Sequence, residues 1–259
     1  MNVKKTDITR KLELRRRLGV KYVNRPRSAK GEEPVSVNEP AAPSPDRPRV
    51  ASKPPAPARP AVEPEWCLGS GPRAGELRAH RDGIKGCLAC PLGKTRLNFV
   101  YGMGNPEARV LFVGEAPGAD EDEQGLPFVG RAGQLLTKII ESTGAFKRPE
   151  VFIANVLKCR PPGNRPPQPE EVVQCLPHLK RQVGIIRPAL IMALGASAAQ
   201  ALLSTKEAVG KLRNRWHEVE GIPMLVTYHP AALFRFEGYK KEVWMDMKEF
   251  TARYRVLFP

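Results

Sequence analysis

Long apolar runs are missing from this chain. No stretch reaches the ~18 residues that a bilayer-crossing helix needs, so a membrane span is not expected. The N-terminus has no apolar core of the kind an export signal carries. Without that signal, disulfides are not expected among the five cysteines. A Gly-x-Ser-x-Gly elbow is absent, which removes the nucleophile of an α/β-hydrolase. The His-x-Glu partner of a zinc deaminase is absent too, although Cys87 and Cys90 make a Cys-x-x-Cys. No internal repeat is evident. Residues 31–65 hold ten prolines and few aromatic or large aliphatic residues. Such a segment cannot bury enough apolar surface to offset its ordering entropy and is expected to be a disordered linker.

About 190 residues follow the linker, enough for one domain over 66–259. The formal net charge is +15. Residues 1–30 carry eleven Lys/Arg against Asp7 and Glu13, a net +9, and the linker carries −2, which leaves +8 on the domain. A domain basic in its own right favours a polyanionic partner such as nucleic acid. Residues 1–30 read as a basic arm in which Ile8, Leu12, Leu14 and Leu18 form a partial apolar stripe of a short helix. The arm is open to three roles: adding non-specific DNA affinity, recruiting a replication or repair protein, or standing solvated with no contact. Asp7 and Glu13 count against a mitochondrial transit role.

Four short apolar runs, over 110–113, 151–155, 190–193 and 224–227, read as strands. Helical patterns over 132–143, 169–186 and 196–203 separate them, and 239–256 reads as a closing helix. Pro169 suits a first helical turn, and Glu170 and Glu171 suit its positive end. Residues 215–219 before Gly221 read as an extra strand, hairpinned to 224–227. Alternating strands and helices imply an α/β fold, a three-layer αβα sandwich around a mainly parallel four-stranded sheet.

The spacing of Cys87 and Cys90 lets two thiolates reach one metal centre. Cys159 stands just beyond the second strand and Cys175 in the following helix, so the fold can bring the four together. Four thiolates suit zinc and an iron–sulfur cluster equally well by ligand type. Cys67, alone at the linker edge, reads as a spare thiol.

Gly114-Glu115-Ala116-Pro117-Gly118 follows the first strand, and open α/β sheets place their ligands at such carboxyl ends. Asn155 ends the second strand, His229 follows the fourth, and both face the same rim as Glu115. Phe128 arrives on a loop. An amide, an imidazole and an aromatic face are what binding a nucleobase edge and plane requires. Lys211, Arg213 and Arg215, near the fourth strand, are candidates for clamping phosphates, and Leu233 for wedging into a vacated base stack.

These blocks resemble the family-four uracil-DNA glycosylases, the iron–sulfur branch of their superfamily. The resemblance covers roughly residues 85–257. It is carried by Gly114–Gly118, by Gly125-Leu126-Pro127-Phe128-Val129-Gly130-Arg131-Ala132-Gly133, by Asn155-Val156-Leu157-Lys158-Cys159-Arg160-Pro161-Pro162, by His229-Pro230-Ala231-Ala232-Leu233, and by the cysteine pattern. It implies excision of uracil from single- or double-stranded DNA, leaving an abasic site, by a monomer in a bacterial or archaeal cytosol. It also implies a structural [4Fe–4S] cluster on Cys87, Cys90, Cys159 and Cys175. By the same resemblance Phe128 stacks on uracil, Asn155 reads O4 and N3–H, and His229 donates to O2. Glu121 lies near uracil C5, where it crowds out the thymine methyl. Ala116 occupies the place where another branch has a catalytic aspartate, which leaves Glu115 and Asn164 as candidates for activating water. The short 161–165 segment lacks the histidine-containing insertion of a cross-linking branch, so covalent trapping of DNA is not expected.

Overall fold

The computed structural model describes residues 70–259. The basic arm, the proline-rich linker and Cys67 lie outside them. Strand β1 (Met103–Gly104) precedes β2 (Val110–Gly114), β3 (Phe152–Asn155) and β4 (Leu190–Leu194), and a hairpin of β5 (His217–Val219) and β6 (Ile222–Thr227) completes the sheet. The strand order is β1-β3-β2-β4-β6-β5. The four expected strands are its centre: β3, β2, β4 and β6 pair parallel, and all their residues but the first two of β6 are buried. The short β1 and β5 pair antiparallel at the two edges, so the full sheet has six strands. Strands buried on both faces must be apolar throughout, which is why each was visible as a continuous run.

Seven α-helices are described: α1 (Pro72–Ile84), α2 (Ala119–Gln124), α3 (Arg131–Ser142), α4 (Pro169–Ile186), α5 (Ala196–Leu203), α6 (Val209–Leu212) and α7 (Tyr239–Leu257). Alternate strand residues feed opposite layers. Leu111 and Val113 pack with Leu77 of α1, Leu179 and Val183 of α4, and Ala198 and Leu202 of α5. Val110 and Phe112 pack with Leu136 and Ile140 of α3, and with Val243, Met247 and Phe250 of α7. The result is a sandwich with helices on both sides of the sheet. Among the described residues no helix is long and apolar enough to cross a membrane.

α1 and α2 were not anticipated. Both are rich in charged residues, and α2 is capped by Gly118, whose backbone N–H donates to the Glu121 carboxylate at 3.0 Å. Without a serine or threonine at that cap, the sequence signature of a helix start is missing.

Candidate active site

The carboxyl ends of β2, β3 and β6 open onto a cavity of about 680 Å³. Glu115, Ala116, Glu121, Phe128, Asn155, Asn164 and His229 all line it, so seven residues named from the sequence share one cavity. β2 delivers Glu115, β3 delivers Asn155, and β6 leads into His229, because parallel strands end on the same rim.

Asn155 is 2% exposed and its Oδ1 has no hydrogen-bond partner. A buried acceptor left unmade costs about 1–3 kcal/mol, so it marks a place where a donor is wanted. A side chain at Gly114 would collide with this oxygen and with the Phe128 ring, and glycine there lets both reach the slot. The Phe128 and His229 rings lie 5.6 Å apart, tilted by 32°.

His229 is partly open to the slot but lies deep in the protein mass, and that burial lowers its pKa to about 4. The imidazole is therefore neutral near pH 7. Its Nδ1 accepts from the Ala231 N–H at 3.2 Å, which puts the proton on Nε2. Glu115 accepts a 2.5 Å hydrogen bond from Ser197 Oγ, in the first turn of α5.

Phe128 has φ of +54°, a left-handed conformation that costs an aromatic residue on the order of 1–3 kcal/mol. Glu121 spends its carboxylate on backbone: Oε1 accepts from the N–H groups of Val129 and Gly130, both at 2.9 Å. Arg148 donates to the carbonyls of Pro127 and Phe128 at 3.1 and 2.9 Å. Asn164 accepts from Arg160 Nε at 2.7 Å through its Oδ1.

Two of the DNA-contact assignments, Arg213 and Leu233, need correction. Arg213 is 7% exposed and held by a two-pronged bond to Asp246, with Glu242 on its other nitrogen, so it braces the fold and does not face solvent. Arg215 pairs with Glu207 on the surface, and neither it nor Lys211 lines the cavity. Leu233 is 4% exposed and packs into the core beside α3 and α7, so it cannot enter a base stack. The residues that do stand at the cavity are Arg131, Arg165, Arg235 and the half-exposed Phe236. Arg131 lies over the Phe234 ring at 4.1 Å, and Arg165 is bonded to Glu171 at the start of α4. Sequence reasoning also missed Ser197 and Arg148. Ser197 had a signal, since it follows β4 on the rim that Glu115 shares. Arg148 had none, because its partners are backbone carbonyls and one threonine hydroxyl, with no carboxylate among them.

Away from the slot stand Cys87, Cys90, Cys159 and Cys175, all free thiols. They are near enough to act on one another's charge: Cys159 responds to Cys90 and Cys87, and Cys175 to Cys159 and Cys90. Burial pushes both thiols up, Cys175 to about 11, while Arg96 opposes the rise at Cys159 and Lys158 at Cys175. Three of the sulfurs accept donors: Cys159 from Arg96 at 3.2 Å, Cys175 from the Lys158 N–H at 3.3 Å, and Cys87 from the Ala89 N–H at 3.5 Å. Among the described residues, no group of three or more His, Cys, Asp or Glu is gathered so as to hold a single metal ion.

Residues 101–248 match the model of the uracil DNA glycosylase superfamily. The chain is 44% identical over 186 residues to the type-4 uracil-DNA glycosylase of Pyrobaculum aerophilum, which covers 68% of this chain and 93% of that protein. It is 44% identical over 174 residues to the type-4 enzyme of Archaeoglobus fulgidus, covering 64% and 87%. Against that of Thermotoga maritima it is 46% identical over 154 residues, covering 59% and 80%.

Proposed function

Because the chain belongs to the uracil DNA glycosylase superfamily, and within it to the type-4 uracil-DNA glycosylases, it hydrolyses the N-glycosidic bond of uracil in DNA, and we propose that the slot above β2, β3 and β6 is where it does so. The observation that carries this assignment is the stranded Oδ1 of Asn155. Uracil presents a donor at N3, which satisfies that oxygen, whereas cytosine presents a lone pair there and leaves it unmade. Phe128 supplies the stacking plate for the extruded ring, which is unstacked from the helix at a cost of a few kcal/mol. Glu121, fixed by its amide donors, is the rigid wall beside C5 that a thymine methyl would strike. Ala116 leaves room at the base.

When the C1′–N1 bond breaks, its electron pair stays on N1 and spreads to O2, leaving a uracil anion and a cationic sugar. His229 is set to answer that charge: neutral, protonated at Nε2 and already oriented, it donates to O2. Removing one such fixed donor costs about 10²–10³ in rate. Water then attacks C1′, forming the C1′–O bond, and its proton passes to the Glu115 carboxylate and from there to the uracil anion, so that the products are an abasic sugar and neutral uracil. Glu115, held by Ser197, is the group assigned to orient that water. Asn164 is the weaker candidate, because its amide oxygen is already taken by Arg160. Arg131 and Arg235 are assigned the phosphate contacts, and Phe236 the wedge.

The four thiols fit an iron–sulfur cluster by donor chemistry. They are all sulfur, and two cations stand beside them. Arg96 touches one sulfur, and the ammonium of the fully buried Lys158 donates to the Asn155 carbonyl and to Gln182, with no carboxylate partner among the described residues. A [4Fe–4S] group on Cys87, Cys90, Cys159 and Cys175 would supply a structural tie between the segment before β1, the end of β3 and α4. The same reading makes the enzyme a cytosolic monomer whose basic arm adds DNA affinity.

An oligonucleotide with a single uracil, treated with protein and then alkali, tests the activity, and a visible absorption spectrum tests the cluster. In that assay Asn155→Asp is expected to lower uracil release by about tenfold or more and to raise release of cytosine, because the mismatched pairs cost about 1–3 kcal/mol each. Unchanged base selectivity would remove Asn155 from base reading.

A further inference from the structure

Phe128 combines two demands that oppose each other. Its ring has to face the slot, and to do so its backbone adopts a conformation that side chains rarely take. The peptide that follows it is gripped at both ends. Its oxygen, the Phe128 carbonyl, accepts from Arg148 Nη2 at 2.9 Å, and its N–H, that of Val129, donates to Glu121 Oε1 at 2.9 Å. Arg148 is itself anchored by Thr137 Oγ1 at 2.7 Å and the Gly133 carbonyl at 3.3 Å, both in α3. Gly133 presses against the same Phe128 carbonyl, with no room for a side chain. A cation thus holds the oxygen of one peptide plane while an anion holds its N–H. Relaxing φ of Phe128 turns the preceding Pro127–Phe128 plane, whose carbonyl accepts from the same Arg148 Nη2 at 3.1 Å, so the guanidinium holds the planes on both sides of the residue.

We propose that Arg148 is a positioning residue for base stacking: it locks the peptides on both sides of Phe128, the second together with Glu121, so that the phenyl ring is presented before the base arrives. This rests on the assignment of Phe128 as the stacking plate. Arg148 touches no substrate. Its planar fork serves here because a single nitrogen reaches two successive carbonyls while the other reaches α3, which a lysine ammonium cannot reproduce in one geometry.

The test is a double-mutant cycle in the full chain, using Arg148→Met and Phe128→Ala, alone and together. Single-turnover release of uracil is read alongside inhibition by free uracil and the thermal midpoint. Arg148→Met is expected to slow release and weaken free-uracil inhibition, each by about tenfold, while in the Phe128→Ala background it costs about threefold or less. Arg148→Lys is expected to recover part of both losses. Thr137→Val, which removes only the outer anchor, is expected to shift both readouts in the same direction by a smaller factor and keeps the test open if Arg148→Met does not fold. Equal losses in both Phe128 backgrounds, or a slower rate with free-uracil inhibition unmoved, would overturn the proposal and leave Arg148 as a structural residue. If Phe128→Ala alone leaves rate and uracil inhibition unchanged, the stacking assignment itself fails.

Discussion

Protonating His229 would put a second N–H on the ring and break the bond from Ala231 that aims it. Burial holds that event down to about pH 4, against an ordinary value of 6.5. The profile of kcat/KM is therefore expected to run flat from neutral pH down to about 5, with no break near 6.5. A limb at 6.5 would mean that the imidazole is solvated and not seated as described. Stability follows the same group. The unfolded chain takes up this proton near 6.5 and the folded chain only near 4, so the contribution is complete above 6.5 and is lost as pH falls from 6.5 to about 4. His80 is lowered to about 4 as well, first by burial and then by His178, Lys158 and Arg181, and acts in the same window. Thermal midpoints measured across that range should drop as the solution is acidified.

The loop that carries His229 is set by the end of β6 and its brace. Thr227 donates to Asp246 at 2.6 Å, Arg213 forks onto the same carboxylate at 2.8 and 2.9 Å, and the guanidinium lies over the Tyr228 ring at 4.6 Å. Tyr228 stacks in turn on Tyr239 of α7, with centroids 3.8 Å apart. Asp246→Ala is expected to cost about 3–5 kcal/mol in denaturant unfolding, because it strands a buried guanidinium. A loss below about 1 kcal/mol would class the pair with exposed ion pairs. This brace also shows why part of the site was illegible. Arg213 looks like a surface cation in sequence, and its partner lies 33 positions away. Leu233 looks like a free loop residue until α3 and α7 close over it. Glu115, Asn155 and His229 were legible because each ends or follows an unmistakable buried strand. α2 was not, because its cap is a glycine and its body is acidic.

For the whole molecule, residues 1–30 carry +9 of the formal net charge of +15. Deleting residues 1–65 is expected to weaken binding to a single-stranded oligonucleotide and to flatten its dependence on salt, by about 0.7 in log–log slope for each phosphate that the arm neutralises. Single-turnover release at saturating enzyme should stay unchanged. An unaltered slope would show that the arm does not touch DNA. Within the folded part, Asp122 accepts from the backbone N–H of Leu97 and Asn98 at 2.9 and 3.3 Å, and Asn98 donates to the carbonyls of Asp122 and Glu123 at 2.8 and 2.9 Å. These four bonds stitch the stretch after Cys90 onto α2, the helix that bears Glu121. Oxidation of the thiols beside that stretch therefore has a mechanical route to the pyrimidine's berth: slackening one seam loosens the wall next to it, and oxidised enzyme should begin to release thymine from a single-thymine mispair before its thermal midpoint falls.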